Sequence, residues 1–134
     1  LLRVFAEALK NLNLKKALIV NSQDGLDEIS PYANTDIVEL SDGKIKESIL
    51  SPKDLDIKAS GFDNIVGKDP KYNAEKMKEI FQGNDNDFSI AVCLNAAAGL
   101  LVAEKSTSFK EGYEKLREHI LSGKVINHIT KLIK

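Results

Sequence analysis

The stretch that decides the fold is ALIVNSQDGLDEIS, residues 17–30, in which a short apolar run leads directly into an acidic loop. Residues 17–20 include the β-branched pair Ile19 and Val20, which favours a strand buried on both faces, as in a parallel sheet. Residues 21–31 predict a loop. Ligand sites in open α/β sheets favour loops at the carboxyl ends of strands, so this loop is a candidate functional site.

The sequence after this loop predicts two more strands, over residues 35–40 and 44–50. The Asp42-Gly43 pair between them tolerates the positive φ angles of a tight hairpin. Helical spacing of apolar residues, with caps and breakers at the ends, predicts about five helices. They cover residues 1 to about 11, residues 70 to about 82, a stretch capped by Asp87 or Ser89 and running to about Lys105, residues 109–121 and residues 125–133. The predicted fold class is α/β, with a partial sheet (a buried parallel-type strand plus a β-hairpin) packed against the helices.

The composition indicates one globular domain with no bias towards a charged partner. The chain has 134 residues, a net charge of −1 and one cysteine, Cys93. Such a balanced charge gives no general attraction to nucleic acid or to acidic membranes. The longest apolar stretch, residues 90–103, is too short to span a bilayer. A lone cysteine cannot form an internal disulfide, which fits a reducing compartment, so we expect the protein to lie in the cytoplasm.

The apolar stretch that contains Cys93 predicts the central helix, because its residues are apolar nearly all round. Asn95 is the polar exception, and a structural hydrogen bond is the favoured role for it, since buried polar side chains need partners. Packing is the favoured role for Cys93. His119 and His128 fall in different predicted helices, which argues against a shared metal site.

Asp27 and Glu28 are the candidate metal ligands. In a loop, two neighbouring carboxylates can converge on one point, and a hard cation relieves their repulsion. Mg²⁺ typically takes one or two protein carboxylates and fills its remaining positions with water and phosphate oxygens. A solvated acidic turn explains the same residues, and it is the commoner arrangement. The residues alone leave both interpretations open.

Five blocks of the chain share their order and spacing with one enzyme family. They are DGLDEIS (residues 24–30), ELSDGKI (39–45), the Asn73-Ala74 pair, LNAAAGLLVAEK (94–105) and EGYEKLREHILSGK (111–124). Together they resemble the carboxyl-terminal part of anthranilate phosphoribosyltransferase, and the resemblance covers essentially the whole chain.

The resemblance implies an enzyme that transfers the ribosyl 5-phosphate of phosphoribosyl pyrophosphate to anthranilate and releases pyrophosphate, in tryptophan biosynthesis. It also implies a homodimer for the full-length enzyme. The family's acidic pair helps to bind the Mg²⁺ that accompanies pyrophosphate, and this role falls on Asp27 and Glu28. The implied fold is the C-terminal portion of a phosphoribosyltransferase or nucleoside phosphorylase-like α/β domain.

The resemblance has two departures. Asn21-Ser22 stands where the family usually has His-Gly, and serine restricts the backbone more than glycine does. The family's N-terminal helical domain and phosphate-cradle region have no counterpart in residues 1–134, so we expect a single domain fragment that is inactive alone and prone to self-association. Two alternatives stay open: a related pyrimidine nucleoside phosphorylase-type enzyme, and a non-catalytic scaffold or binding domain.

Overall fold

The computed structural model describes residues 1–132 of the chain. Its elements are α1 (Leu2–Asn11), β1 (Lys16–Ser22), β2 (Thr35–Ser41), β3 (Lys44–Leu50), α2 (Pro70–Phe81), α3 (Asp87–Val102), α4 (Phe109–Leu121) and α5 (Lys124–Leu132). Two short 3-10 turns, Pro52–Leu55 and Phe62–Ile65, lie between β3 and α2. The α/β class and the five helices are confirmed over this part of the chain. The predicted helical position of Ile133 lies outside the described residues.

The sheet has three strands in the order β1-β2-β3, and both pairings are antiparallel. The predicted parallel-type pairing of β1 is wrong within the described residues, since β1 runs antiparallel to β2, with Val20 opposite Ile37. Residues 17–20 are also only half-buried. The physical reason is that an apolar run indicates burial of both faces of a strand, but it does not specify whether the neighbouring strand is parallel or antiparallel.

The β2–β3 connection is the tight hairpin that the sequence predicts. Asp42 and Gly43 both have positive φ, 46° and 77°. Such turns match the right-handed twist of the flanking strands. The hairpin sets Ser41 opposite Lys44 and Thr35 opposite Leu50, so the whole register of the pair follows from this turn.

Helix α1 packs on one face of the sheet, where Arg3 forms an ion pair with Glu47 of β3 at 2.8 Å. The helix buries Ala6 against the strands, whereas Leu1, Val4, Phe5 and Leu12 of its predicted apolar stripe are largely exposed. Helical spacing identifies the apolar side of a helix. How many residues of that side become buried depends on the surface against which the helix packs.

The opposite face of the sheet contributes Val20 and Leu50 to the main core, which is built around α3. Leu94 and Ala97 of α3 are fully buried. Helix α4 approaches closely at Gly112, where an added Cβ would lie 3.3 Å from the Ala97 Cβ. The prediction of a central α3 is therefore confirmed, although its Val92 side remains exposed.

The start of α3 differs from the prediction that Asp87 or Ser89 caps it. The N-cap is Asn86, whose side chain accepts a hydrogen bond from the Ser89 amide at 3.0 Å, while Ser89 Oγ accepts one from the Asn86 amide at 3.1 Å. This reciprocal capping box leaves Asp87 free for tertiary contacts. Among residues 1–132, no helix is both long and apolar enough to cross a bilayer.

Candidate functional site

The loop between β1 and β2 presents Asp27 and Glu28 to solvent. Both side chains are exposed. Within residues 1–132, neither carboxylate forms an ion pair or accepts a hydrogen bond. Their oxygen atoms are therefore available to an external cation, although a solvated turn would have the same exposure.

The first half of this loop is folded by local hydrogen bonds around Gly25, whose φ is 94°. The Gly25 amide donates to the Ser22 carbonyl at 3.1 Å, and the Ser22 amide donates to the Leu26 carbonyl at 2.9 Å. An L-residue would be strained at this φ, so glycine allows the sharp turn that brings the acidic pair to the surface.

Asp24 is the third carboxylate of the loop, and its contacts give it a structural role. It accepts hydrogen bonds from Ser30 Oγ at 2.6 Å and from the Leu26 amide at 3.3 Å. Partial burial opposes ionisation of Asp24, but hydrogen bonding, above all from Ser30, outweighs it and lowers the pKa of Asp24. Because Asp24 is bonded to Ser30, on the other side of the acidic pair, its oxygens are less available than those of Asp27 and Glu28.

The second half of the loop is held by Asn95 of α3. The Ile29 amide donates to Asn95 Oδ1 at 2.9 Å, and Asn95 Nδ2 donates back to the Ile29 carbonyl at 3.0 Å. Asn95 Nδ2 also donates to the Ala91 carbonyl of its own helix at 3.0 Å. The predicted structural hydrogen bond of Asn95 is confirmed, and its partner is the residue that follows Glu28.

Asp87 is a second anchor on α3, although the sequence pattern predicted only a helix-capping role for it. Its Oδ2 accepts hydrogen bonds from Tyr32 Oη at 3.0 Å, from the Ser60 amide at 2.9 Å and from Asn64 Nδ2 at 2.9 Å. The one sequence feature that could have indicated this tertiary role is a charged residue, Asp87, at the first position of an otherwise apolar helix. The network joins the end of the acidic loop to the segment before α2.

Burial and hydrogen bonding have opposite effects on Asp87. Burial penalises its charged form, but the bonds from Asn64, Ser60 and Tyr32 stabilise the carboxylate more strongly, so the pKa of Asp87 is lowered. The pKa of Tyr32 is raised, first by burial and then by its bond to the charged Asp87. Tyr32 therefore stays protonated and acts as a donor.

The replacement of the family's His-Gly by Asn21-Ser22 does not distort the strand end. Ser22 is buried at the last position of β1 and lies outside the left-handed region. Its Oγ donates to the Asn34 carbonyl at 3.3 Å across the loop. A serine is thus accommodated where the resemblance led us to expect glycine.

The other polar candidates take ordinary structural positions. Cys93 is buried in the core, and burial raises its pKa to about 11. His119 and His128 lie in different helices, α4 and α5, as predicted. Over the described residues, no group of three or more His, Cys, Asp and Glu side chains could hold a metal ion. The two carboxylates at residues 27 and 28 therefore suit only a cation that keeps most of its water or takes ligand oxygens.

A separate polar cavity of about 840 Å³ lies between α2, α3, α4 and the segment before α2. Two of its three cationic side chains have acidic partners: Arg117 pairs with Asp85 at 2.5 Å and Lys76 pairs with Glu79 at 2.8 Å. The acidic pair of the β1–β2 loop does not line this cavity. The cavity and the acidic loop are thus two different surfaces.

Comparison with known proteins places the chain among transferases. The family model described as "Glycosyl transferase family, a/b domain" matches residues 1–126. Anthranilate phosphoribosyltransferase of Pelagibacter ubique (strain HTCC1062) is 58% identical over 132 residues, which are 98% of this chain and 40% of that protein. The chain thus spans about two-fifths of the length of this relative.

Solved structures agree with this result. The crystal structure of anthranilate phosphoribosyltransferase from Thermus thermophilus matches with a TM-score of 0.85 and 29% identity, over 97% of this chain and 38% of that one. A variant of the Saccharomyces cerevisiae enzyme with Mg bound matches with a TM-score of 0.81 and 26% identity, over 94% of this chain and 37% of that one. From its sequence match and its fold, the chain belongs to the glycosyl transferase family, as part of the family's α/β domain.

Proposed function

We propose that this chain forms part of an anthranilate phosphoribosyltransferase in which Asp27 and Glu28 hold Mg²⁺. The relative from Pelagibacter ubique supports the activity through 58% identity over nearly the whole chain. The Mg-bound yeast neighbour supports the choice of metal. The chain corresponds in this proposal to the carboxyl-terminal part of the catalytic domain, and the remaining substrate contacts come from a longer polypeptide.

The observation that carries the proposal is the contrast between the carboxylates of the loop. Asp24 is engaged with Ser30 and Leu26, whereas Asp27 and Glu28 are exposed and accept no hydrogen bond within the described residues. Carboxylate oxygens are the donors that Mg²⁺ prefers. The loop is held by hydrogen bonds on both sides of the acidic pair, and the two carboxylates themselves are unpaired within the described residues. This arrangement suits a bound Mg²⁺ better than a turn whose carboxylates are all hydrogen-bonded.

The chemistry of the proposed reaction explains why these residues are needed. Breaking the bond between the ribose C1 and pyrophosphate builds positive charge on the sugar and negative charge on the leaving group. When bound, Mg²⁺ neutralises charge on the leaving group and orients it. Asp27 and Glu28 hold the ion at the loop surface, and the hydrogen bonds of Asp24 and Asn95 keep the loop backbone in place.

The test uses the full-length enzyme and follows the loss of anthranilate fluorescence with phosphoribosyl pyrophosphate and Mg²⁺. The double variant Asp27→Asn plus Glu28→Gln is expected to lower the rate at least tenfold and to raise the Mg²⁺ concentration for half-maximal rate. The control, Asp54→Asn plus Glu114→Gln, removes the same two charges from exposed positions elsewhere and should retain the native rate.

Two results would contradict the proposal. A native enzyme that cleaves a pyrimidine nucleoside with phosphate, and not phosphoribosyl pyrophosphate, would assign the chain to the nucleoside phosphorylase-type alternative. If the double variant keeps the native Mg²⁺ dependence, Asp27 and Glu28 do not bind the metal and form only a solvated acidic turn. Cytoplasmic location and a homodimeric full-length enzyme stay predictions.

A further inference from the structure

We infer that Asn95 is a positioning residue for the metal-binding loop, an inference that rests on the proposed function. The loop has no regular secondary structure around Asp27 and Glu28. Asn95 supplies what a strand or helix would otherwise supply there, since its carboxamide makes both backbone hydrogen bonds of Ile29.

The geometry of the carboxamide fixes an orientation as well as a distance. One planar group accepts from the Ile29 amide at 2.9 Å and donates to the Ile29 carbonyl at 3.0 Å, so the Ile29 backbone must lie along the carboxamide plane. The third bond, from Nδ2 to the Ala91 carbonyl at 3.0 Å, holds the carboxamide itself on α3. The direction in which the chain leaves Glu28 is thereby set by a core helix.

The rigidity of the support comes from residues on either side of the clamp. Leu94, next to Asn95, is fully buried, and the Ile29 side chain is only 2% exposed in the same core cluster. Two neighbouring carboxylates repel each other and swing apart if their backbone is free, which costs free energy when a cation brings them together again. A clamp one residue after the pair reduces this cost before the ion binds.

The chain contains a second clamp of the same kind, which provides a matched control. The Lys68 amide donates to Asn73 Oδ1 at 3.0 Å, and Asn73 Nδ2 donates to the Lys68 carbonyl at 3.4 Å. This clamp holds the entry to α2, at an exposed position that contributes nothing to the acidic loop. Its removal tests the general effect of losing such a pair of bonds.

The experiment compares Asn95→Ala with Asn73→Ala in the full-length enzyme. We expect Asn95→Ala to raise the Mg²⁺ concentration for half-maximal rate about tenfold or more, as is typical when a group that orients a metal ligand is lost. Hydrogen exchange of the peptide spanning residues 24–31 should become faster at the same time. Asn73→Ala should change neither quantity. Asn95→Asp keeps an acceptor for the Ile29 amide but sets a carboxylate oxygen against the Ile29 and Ala91 carbonyls, so it should not restore the native Mg²⁺ dependence.

Two outcomes separate the inference from the proposed function. If Asn95→Ala keeps the native Mg²⁺ dependence while Asp27→Asn plus Glu28→Gln loses it, the positioning role is wrong and the metal site stands. If the double variant also keeps the native dependence, both proposals are wrong. A lowered unfolding temperature of Asn95→Ala without a change in Mg²⁺ dependence likewise overturns the positioning role.

A measurement on the native enzyme covers the case in which the alanine variant does not fold. Without Mg²⁺, the Ile29 amide should exchange more slowly than the amides of Asp27 and Glu28, because its hydrogen bond to Asn95 must open first. Exchange of Ile29 as fast as that of its two neighbours would mean that the clamp does not order the loop, and would overturn the inference.

Discussion

Asp87 is a buried carboxylate that is stabilised by several hydrogen-bond donors converging on one oxygen. Its residue is 8% exposed, and Oδ2 accepts from Tyr32, Ser60 and Asn64. An amide oxygen could take the place of Oδ2, but it would lack the negative charge that these donors stabilise. Charge and geometry are therefore both required of the residue at this site.

Replacing Asp87 with asparagine is expected to destabilise the protein by about 1–3 kcal/mol at neutral pH, because a neutral acceptor replaces a charged one in hydrogen bonds from three donors. Urea unfolding measures this difference. The control is Asp54→Asn, at an exposed position, where a change within about 0.5 kcal/mol is expected. Equal effects of the two substitutions would contradict the role given to Asp87.

The same residue gives a pH dependence whose sign follows from its pKa. Folding lowers the pKa of Asp87 below its ordinary value of 3.8. Its contribution to stability is thus present above the unfolded-state pKa and is lost as the pH falls through the folded-state pKa. The native protein should lose stability on acidification below about pH 4, and Asp87→Asn should lose less over the same range. Parallel acid unfolding curves would contradict this.

Among the elements, the helix ends were easier to predict than the helix surfaces. The Asp69-Pro70 pair and the capping-box spacing of Ser108 and Glu111 predict the starts of α2 and α4. The structure agrees, since Asp69 accepts from the Tyr72 amide at 2.9 Å and Ser108 accepts from the Glu111 amide at 3.2 Å. These caps act within one turn, so local sequence contains the necessary information. The cap of α3 was missed because Asn86, Asp87 and Ser89 are all good capping residues, and a tertiary network recruits Asp87.

The turn after α2 depends on Gly83, which has a φ of 95° and lies against the end of α4. A Cβ at this position would lie 2.9 Å from the Leu121 carbonyl oxygen. We expect Gly83→Ala to be destabilising by more than the roughly 1–2 kcal/mol that left-handed backbone costs an L-residue, because the carbonyl belongs to a helix and cannot move away cheaply. Thermal unfolding followed by circular dichroism measures the loss.

Gly123 provides the matched control for this substitution. It also has a positive φ, 68°, but its Cβ would approach nothing closer than 3.8 Å. Gly123→Ala should therefore lose only the free energy that an L-residue costs at positive φ. The unfolding temperature of this variant should lie between those of the native protein and Gly83→Ala. The reverse order would mean that contact with α4 does not limit residue 83.

For the molecule as a whole, α1 and the edge strand β1 form one side that is only partly covered. Within residues 1–132, β1 pairs with a strand on one edge only. Nearby α1 exposes Val4 and Phe5, at 62% and 54% of their surface. An open strand edge beside apolar side chains favours association.

We therefore expect the isolated chain to self-associate, with light scattering giving a mass above that of one chain and rising with concentration. Phe5→Lys should reduce the association, whereas Val66→Lys, at an exposed apolar residue in the segment before α2, should leave it unchanged. A monomer with sharp two-state unfolding at all concentrations would contradict the prediction.

Local patterns in the sequence were sufficient for most of the architecture. They determined the α/β class, the hairpin at Asp42-Gly43, the ends of α2 and α4, and the central place of α3, because each depends on spacing within a few residues. The resemblance of five blocks indicated the family, which the comparisons show. The acidic pair was also visible from sequence, and its metal role stays a prediction.

Only the tertiary structure decided the direction of strand pairing, the side of α1 that is buried, and the supports of the acidic loop. The pairing of Asn95 with Ile29 spans 66 residues, and that of Asp87 with Tyr32 spans 55. Such contacts depend on how α3 packs beside the sheet, and no local periodicity encodes that position. A polar residue in an apolar helix shows that a partner is required, but the folded chain determines which backbone group it meets.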